Sequence, residues 1–402
     1  MIKDSFIKNI IIHGAGQMIN LLAPFLVMPY VLSVCGIDKW GIIGTVTSVY
    51  ILVGLLIEFG ANLIGVKELS AFRNNVVFLK SYIGVNYKFR LFSCLILTAV
   101  LTAVFQVFNV DASFYWGLSW MIAWYYNPLW IFQAQEDFKK INKIIFLSKA
   151  VYVLGVYLMV TTKEDYIYVV GILGFSNSVF YAWYYYQVPK HRVAFKRVPV
   201  FFRQNSAIVV SNFAISFYTQ APILIIKVIL GDVAAGIFNV INLFLTVFRS
   251  YLGVFFNVTY PRFCFLLSES VQKAKYYGFK MMKINVLFLL VSAVIIFLTL
   301  PYAIGFFDFS QDVQEGLAFS SFLLFLPVII ALNIPYYQLL LFKKQNNDVL
   351  KVSIGGVIIT ISLGIPLTYA FGLTGLCAML YIVELYVLLS FWSKANKSFQ
   401  NG

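Results

Sequence analysis

Apolar stretches long enough to cross a bilayer follow one another almost without a break along this 402-residue chain. The runs Asn9 to Val34, Gly41 to Ile64, Leu91 to Phe108 and Leu287 to Phe307 set the beat. Each approaches or exceeds the roughly 20 residues a helix needs to traverse about 30 Å of hydrocarbon. Inside lipid a backbone amide finds no water, so such a segment must close its hydrogen bonds internally as a helix. Only 11% of the chain is charged, against roughly 25% for a soluble domain. The pattern predicts an all-α polytopic membrane protein of twelve transmembrane helices, at about 9–34, 41–64, 84–108, 112–133, 142–162, 165–188, 205–230, 233–258, 282–307, 315–341, 352–370 and 373–393. The first run is too long for a signal-peptide core and is expected to remain as the first helix.

The gaps between the runs carry the next signal. The N-terminus and every second gap hold 26 of the 30 Lys and Arg, helix ends counted with their loops. The other gaps hold only Lys39 and Lys163, while Lys227 and Arg249 fall inside helices. Positive residues stay on the cytoplasmic side, so both termini are expected there. The net charge of +14 is dispersed over short loops and not gathered on one folded face, which argues against a nucleic-acid partner.

Several chemistries find no residues to carry them. The outward gaps are a few residues long, as in Gly36–Trp40 and Gly231–Val233, and no GxxxxGK[ST] loop occurs. His13 and His191 are the only histidines, and neither HExxH nor GxSxG is present, so an enzyme is not expected. Cys35, Cys94, Cys264 and Cys377 lack metal or disulfide spacing and read as packing residues; neither a metal nor a cofactor is expected.

A polar stretch at 189–204 divides six helices from six, predicting an N-terminal bundle (1–188), a cytoplasmic linker (189–204) and a C-terminal bundle (205–402). The halves echo each other. Gly36 and Gly231, 195 residues apart, each stand five residues before a Gly-Ile pair, and Asn127-Pro128 is loosely repeated as Asn333-Ile334-Pro335. An even number of helices per half makes the repeats parallel, related by a pseudo-two-fold axis along the membrane normal. Transporters built in this way bind cargo between the halves and work by alternating access.

Specific segments extend the reading. Pro128-Leu129-Trp130-Ile131-Phe132-Gln133-Ala134-Gln135-Glu136 resembles the P-x-W-x-F-Q-G-x-E segment of the O-antigen flippases, polysaccharide transporters of the Wzx type. Phe59-Gly60-Ala61-Asn62, followed by Lys67-Glu68-Leu69-Ser70 and Arg73, resembles their stretch after helix 2. Val228–Gly231 with Gly236–Asn239, and Pro261-Arg262, resemble the turn between helices 7 and 8 and the end of helix 8. Ala134 departs from the family's usual Gly. The resemblance implies a MATE-like architecture within the multidrug/oligosaccharidyl-lipid/polysaccharide exporter superfamily. It implies as cargo an O-antigen unit on undecaprenyl diphosphate, flipped outward across the bacterial inner membrane for lipopolysaccharide biosynthesis. The O-antigen polymerase and chain-length regulator would be partners beside the membrane lipids. The alternatives are a MATE-type cation or drug antiporter, and a flippase for another lipid-linked glycan such as an exopolysaccharide, teichoic acid or peptidoglycan precursor.

An anionic, hydrated head group needs fixed positive charge and hydrogen-bonding groups along its path. Arg249 lies about 24 Å into helix 8 from the outer side, and its planar fork suits phosphate. A structural ion pair or snorkelling is its alternative role. Glu58 in helix 2 is expected to face Arg249 when a gate closes, to exchange a proton, or to satisfy a buried amide. His13, Gln17 and Asn20 form one polar stripe on helix 1, which Asn212 echoes at the 195-residue shift, lining a wet cavity or bonding helices together. Trp124 at mid-depth in helix 4 is a candidate for stacking on sugar rings, with Gln133 in the flippase-like motif beside it. Glu384 in helix 12 is placed on the path or against a neighbour's hydroxyl. Lys227 near the outer end of helix 7 is expected to snorkel. Pro24, Pro29 and Pro222 are natural bending points for a gate.

Overall fold

The computed structural model describes the backbone of residues 2–72, 74–191, 197–343 and 345–400. The side chains described are those of residues 16, 18–72, 74–191, 201, 206, 209–210, 212–343, 345 and 347–397. Among these residues every regular element is helical. The α-helices in chain order are α1 (Ile2–Cys35), α2 (Ile37–Glu58), α3 (Val66–Ala71), α4 (Val76–Phe108), α5 (Ala112–Tyr126), α6 (Leu129–Ala134) and α7 (Phe138–Met159). They continue with α8 (Ile167–Gln187), α9 (Arg197–Glu269), α10 (Val271–Ile304), α11 (Gln311–Ser320), α12 (Leu326–Phe342) and α13 (Asn346–Gln400).

Nine helices among the described residues are long and apolar enough to cross a membrane. Two of them, α9 and α13, each hold two spans, because Gly231 (φ 85°, ψ −170°) and Gly372 (φ 61°, ψ −140°) break them where outward turns were expected. With α5 and α6 as the fourth span, the architecture is consistent with the twelve expected. Gly36, at the matching turn of the first half, adopts φ 89° and ψ 170°. Its backbone conformation is thus that of Gly231, in a region essentially reserved for glycine. The 195-residue echo is therefore a repeated turn geometry as well as a repeated string.

Local chemistry explains where helices start and stop. Asn75, Asp111 and Asp137 accept hydrogen bonds from the amides of Phe78 (3.0 Å), Ser113 (2.8 Å) and Lys140 (3.1 Å), capping α4, α5 and α7. Three expected spans are interrupted. Helix 2, expected to run to 64, ends at Glu58. There Phe59 (φ 49°) and Gly60 (φ 73°) turn left-handed and lead into a π-helical turn at Ala61–Gly65. Helix 4 splits at Asn127-Pro128 into α5 and α6, since Pro128 donates no amide and forces Asn127 out of the helical region (ψ 109°). Helix 10 splits into α11 and α12 around a 3₁₀ turn at Ser321–Phe325. By contrast α1 continues through Pro24 and Pro29, and α9 through Pro222.

The chain gathers into two compact units, Met1–Phe213 and Ala214–Gly402. In the first, α5 lies along α8, α1 along α7, and α2 and α4 against α5. Lipid is as apolar as leucine, so helices here are held by close fit and not by escape from water. Gly174 supplies such a fit, since a β-carbon there would collide with the α5 backbone at Trp120. The buried centre of this unit is Trp130 with Tyr87, Ile144, Tyr184 and Tyr185. In the second unit α12 packs on α13 and α10 on α12, with Phe248, Leu289, Leu324 and Ala331 at the centre. All four cysteines are free.

Candidate functional site

Each unit holds one arginine and one glutamate inside its helices within electrostatic reach of each other. In the N-terminal unit the glutamate is Glu58, at the last position of α2 and 5% exposed. Its carboxylate accepts the Asn62 amide at 3.0 Å from the π turn that follows. Its opposite charge is Arg90 of α4, which is fully enclosed. Arg90 Nη1 donates to the Asn127 carbonyl at 3.0 Å and to the Trp124 carbonyl at 3.2 Å. In an unbroken helix the Trp124 carbonyl would receive the amide of residue 128, which proline lacks. The arginine therefore replaces the hydrogen bond that Pro128 removes. Tyr87 donates to the same Asn127 carbonyl at 3.0 Å. The rings of Tyr87 and Trp130 lie 5.3 and 5.6 Å from the guanidinium carbon, within cation–π range.

Arg90 is the residue that sequence reading misplaced. With the third helix expected to start near 84, Arg90 counted among the cytoplasmic loop cations. Because α4 starts at Val76, it lies mid-helix and at 0% exposure. Removing it leaves the charge asymmetry at 25 against two, unchanged in sense. The signal that would have found it is the pairing of a breaker, Asn127-Pro128, with an arginine on a neighbouring span.

In the C-terminal unit the arginine is Arg249 of α9, half-buried, with Nη1 donating to the Asn242 side-chain oxygen at 3.3 Å. The opposite charge within reach is Glu384 of α13, and Tyr218 shares the same field. No ion pair within 4.0 Å joins Arg249 to Glu384, or Arg90 to Glu58, among the described residues. Glu384, Tyr218, Asn333, Tyr337, Ser353 and Phe391 line a cavity of about 270 Å³, with aliphatic side chains completing its wall. Asn333 Oδ1 is buried there with no hydrogen-bond partner. The position matching Arg90 at the 195-residue shift is Asn285, fully enclosed, with both ends of its amide unpartnered. Here α12 runs on through Pro335.

Within its own unit each of these charges thus has an opposite charge in electrostatic reach, Arg90 for Glu58 and Glu384 for Arg249. Trp124 packs directly against Gly54 of α2, where a β-carbon would fall inside the indole, so its ring is engaged by protein. Gln133 in α6 and Asn212 in α9 are half-buried, and Asn20 is exposed. The side chains of His13 and Gln17 lie outside those described. Lys227 pairs with Asp232 beside the Gly231 turn.

Comparison with known proteins gives this geometry its family. The model of the family described as Polysaccharide biosynthesis protein matches residues 6–267. A protein named O-antigen transporter from Escherichia coli (strain K12) is 22% identical over 278 residues, which is 65% of each chain, so the alignment spans just under two thirds of that relative. A protein of the same name from Shigella dysenteriae is 21% identical over 405 residues, 98% of this chain and 100% of its own. Among solved structures, an inward-facing multidrug resistance transporter of the MATE family, MOP superfamily, superposes with TM-score 0.71 at 13% identity. That match covers 96% of this chain and 98% of the transporter. The MATE multidrug transporter DinF-BH superposes at TM-score 0.61, 13% identity, over 97% and 94% of the two chains. At these identities the structural likeness speaks for the fold and not for the cargo. The family match covers well over half of the chain and both interrupted spans of the first unit, and so this protein belongs to the Polysaccharide biosynthesis protein family, on the fold of the MATE transporters.

Proposed function

We propose that this protein is a flippase that carries a lipid-linked oligosaccharide, an O-antigen unit on undecaprenyl diphosphate, from the inner to the outer leaflet of the bacterial inner membrane for lipopolysaccharide biosynthesis. The observation that supports this most is Arg249. It is a half-buried cation within a membrane-spanning helix, held by one amide at 3.3 Å and by no carboxylate in direct contact among the described residues. A charge in that position is costly and is kept for a use. A diphosphate crossing lipid unaided faces a far larger cost, and a guanidinium fork offers it two parallel hydrogen bonds. The family match and the name carried by two relatives point the same way. A cation or drug antiporter would share the fold, and the Glu384 cavity is the feature that suits it; Arg249 in the field of the same carboxylate favours an anion.

Deleting the gene tests the reading. The expected result is loss of surface polysaccharide, with undecaprenyl-linked units accumulating in the inner leaflet. Units reaching the outer leaflet at the normal rate would sink it. With this direction of transport go both termini in the cytoplasm, and the polymerase and chain-length regulator receiving the unit on the outer side. Reporter fusions after Gly231 and after Phe371 are then expected to read periplasmic, and a fusion after Arg197 cytoplasmic. A periplasmic signal from the last would reverse the orientation.

A further inference from the structure

The far end of α8 turns an unmatched set of hydrogen-bond donors toward the outside of the N-terminal unit. Along α8, Phe175, Val179, Trp183 and Tyr186 recur at helical spacing and are all exposed, an apolar stripe that ends in two aromatic rings. In a bilayer such a stripe meets acyl chains, and its Trp and Tyr stand at head-group level. Lys190 follows just beyond the helix. Its ammonium donates to the Tyr185 carbonyl at 3.0 Å and lies 3.5 Å from the centre of the Tyr185 ring. The His191 amide donates to the Lys80 carbonyl at 3.1 Å, which fixes the segment carrying the lysine against α4. No carboxylate comes within 4.0 Å of Lys190 among the described residues, so a full positive charge and two N–H donors remain. Beside it the Tyr126 hydroxyl of α5 lies 3.5 Å from that of Tyr186. Two phenols joined by one hydrogen bond keep one O–H free. The Tyr185 and Tyr186 rings are 5.2 Å apart, and the ammonium is 5.8 Å from the Tyr186 ring.

We propose that this corner binds the head group of an anionic phospholipid. Lys190 and the Tyr126–Tyr186 hydroxyl pair take the phosphodiester, and the acyl chains lie along the stripe of Phe175, Val179 and Trp183. The free donors call for a ligand that accepts, and a phosphodiester presents charged oxygens to both an ammonium and a hydroxyl. A choline or ethanolamine head group would bring its own cation beside Lys190. A glycerol head group brings none, and its hydroxyls suit the phenol oxygens. The position agrees, because Lys190 and His191 belong to one of the gaps in which the basic residues gather, and basic pockets at the ends of spans hold anionic head groups. At the opposite end of the unit Lys163 already has Asp38 at 3.4 Å. The site is independent of what the protein transports.

The test places the full-length purified protein in phosphatidylcholine nanodiscs doped with a small fraction of brominated lipid, and reads the quenching of tryptophan fluorescence by bromine. The chain has seven tryptophans, and the difference between wild type and Trp183→Phe isolates the one on the stripe. Brominated phosphatidylglycerol is expected to quench Trp183 at a roughly fivefold lower mole fraction than brominated phosphatidylcholine. Lys190→Gln should bring the two lipids level, and Lys190→Arg should keep the preference. Tyr126→Phe combined with Tyr186→Phe retains the rings and should lower the preference part-way. Thermal unfolding of each variant checks that the fold is kept; should the double variant not fold, the two lysine variants decide alone. Equal quenching by the two lipids in wild type, a preference that survives Lys190→Gln, or a double variant matching wild type would each overturn the inference. Release of the brominated lipid by an equal fraction of a farnesyl-diphosphate-linked monosaccharide would overturn it too, since the corner would then belong to the cargo.

Discussion

In the N-terminal unit Arg90 is completely enclosed, and one of its nitrogens is taken up by two carbonyls at the Asn127-Pro128 break. In the C-terminal unit Arg249 is half-buried, holds a single side-chain amide, and lies in the field of a carboxylate that lines a cavity. In sequence Arg90 has Lys88 close by and stands at the edge of an apolar run, whereas Arg249 is alone inside one. They differ in what surrounds the guanidinium. Arg90 completes a backbone that proline has interrupted, so its loss is felt by the fold. Arg249 completes nothing in the backbone; its hydrogen bond goes to the Asn242 side chain. What the guanidinium is bonded to separates the two arginines, and burial alone does not: Arg90 serves the backbone break although its Nε and Nη2 find no partner.

The largest effect that would break this contrast is on Arg90. Arg90→Ala leaves the Trp124 and Asn127 carbonyls without their donor and Glu58 without its counter-charge, a loss of about 3–5 kcal/mol. The folded protein recovered from membranes should fall sharply, and Arg90→Lys should restore only part because it lacks the planar fork. Normal amounts of Arg90→Ala with flipping abolished would move Arg90 from the structural to the transporting side.

Next in size is Arg249. Arg249→Ala should abolish flipping, with folded protein near wild-type levels, because among the described residues no backbone group and no carboxylate in direct contact depends on it. Arg249→Lys should keep part of the activity, retaining the charge and losing the bidentate geometry. Flipping in reconstituted vesicles and detergent-extracted thermal stability, measured on the same preparations, separate the two outcomes. A collapse in the stability of Arg249→Ala would make the two arginines equivalent.

The smallest expected effect concerns the turns that the two units share. A β-carbon at Gly231 meets nothing within 4 Å, so Gly231→Ala isolates the backbone cost of its conformation, about 1–3 kcal/mol. Gly36→Ala adds a contact with the Asp38 carboxylate at 2.9 Å and should be slightly worse. Thermal unfolding compares them directly, and a neutral Gly231→Ala would show that the repeated turn is no constraint.

Much of this molecule was legible before any coordinates. Apolar run length decides helix in lipid whatever the neighbours are, because no other local structure satisfies the backbone there. The glycines at 36 and 231 betrayed their turns because so few residues adopt that backbone. Pro128 and the capping Asn75, Asp111 and Asp137 act within a few residues of themselves, so their effects could be read along the chain. Arg249 and Glu384 stood out as intramembrane charges for the same reason: their cost depends on depth, which is counted along one helix.

Tertiary structure alone decided who meets whom. Hydropathy describes one helix at a time, whereas the partner of a buried charge depends on which faces of several helices converge. Arg90 read as a loop cation because α4 starts at Val76, well before its apolar run, and only packing against α5 shows it serving the Pro128 break. Trp124, a sugar platform when read in isolation, is covered by Gly54 from a distant span. Glu384 borders a cavity whose walls come from α9, α12 and α13, elements far apart along the chain. Sequence determined that Glu58, Arg249 and Glu384 lie within apolar spans, because burial cost is local to a helix; folding determined which charges meet which groups, because compensation is a contact between helices.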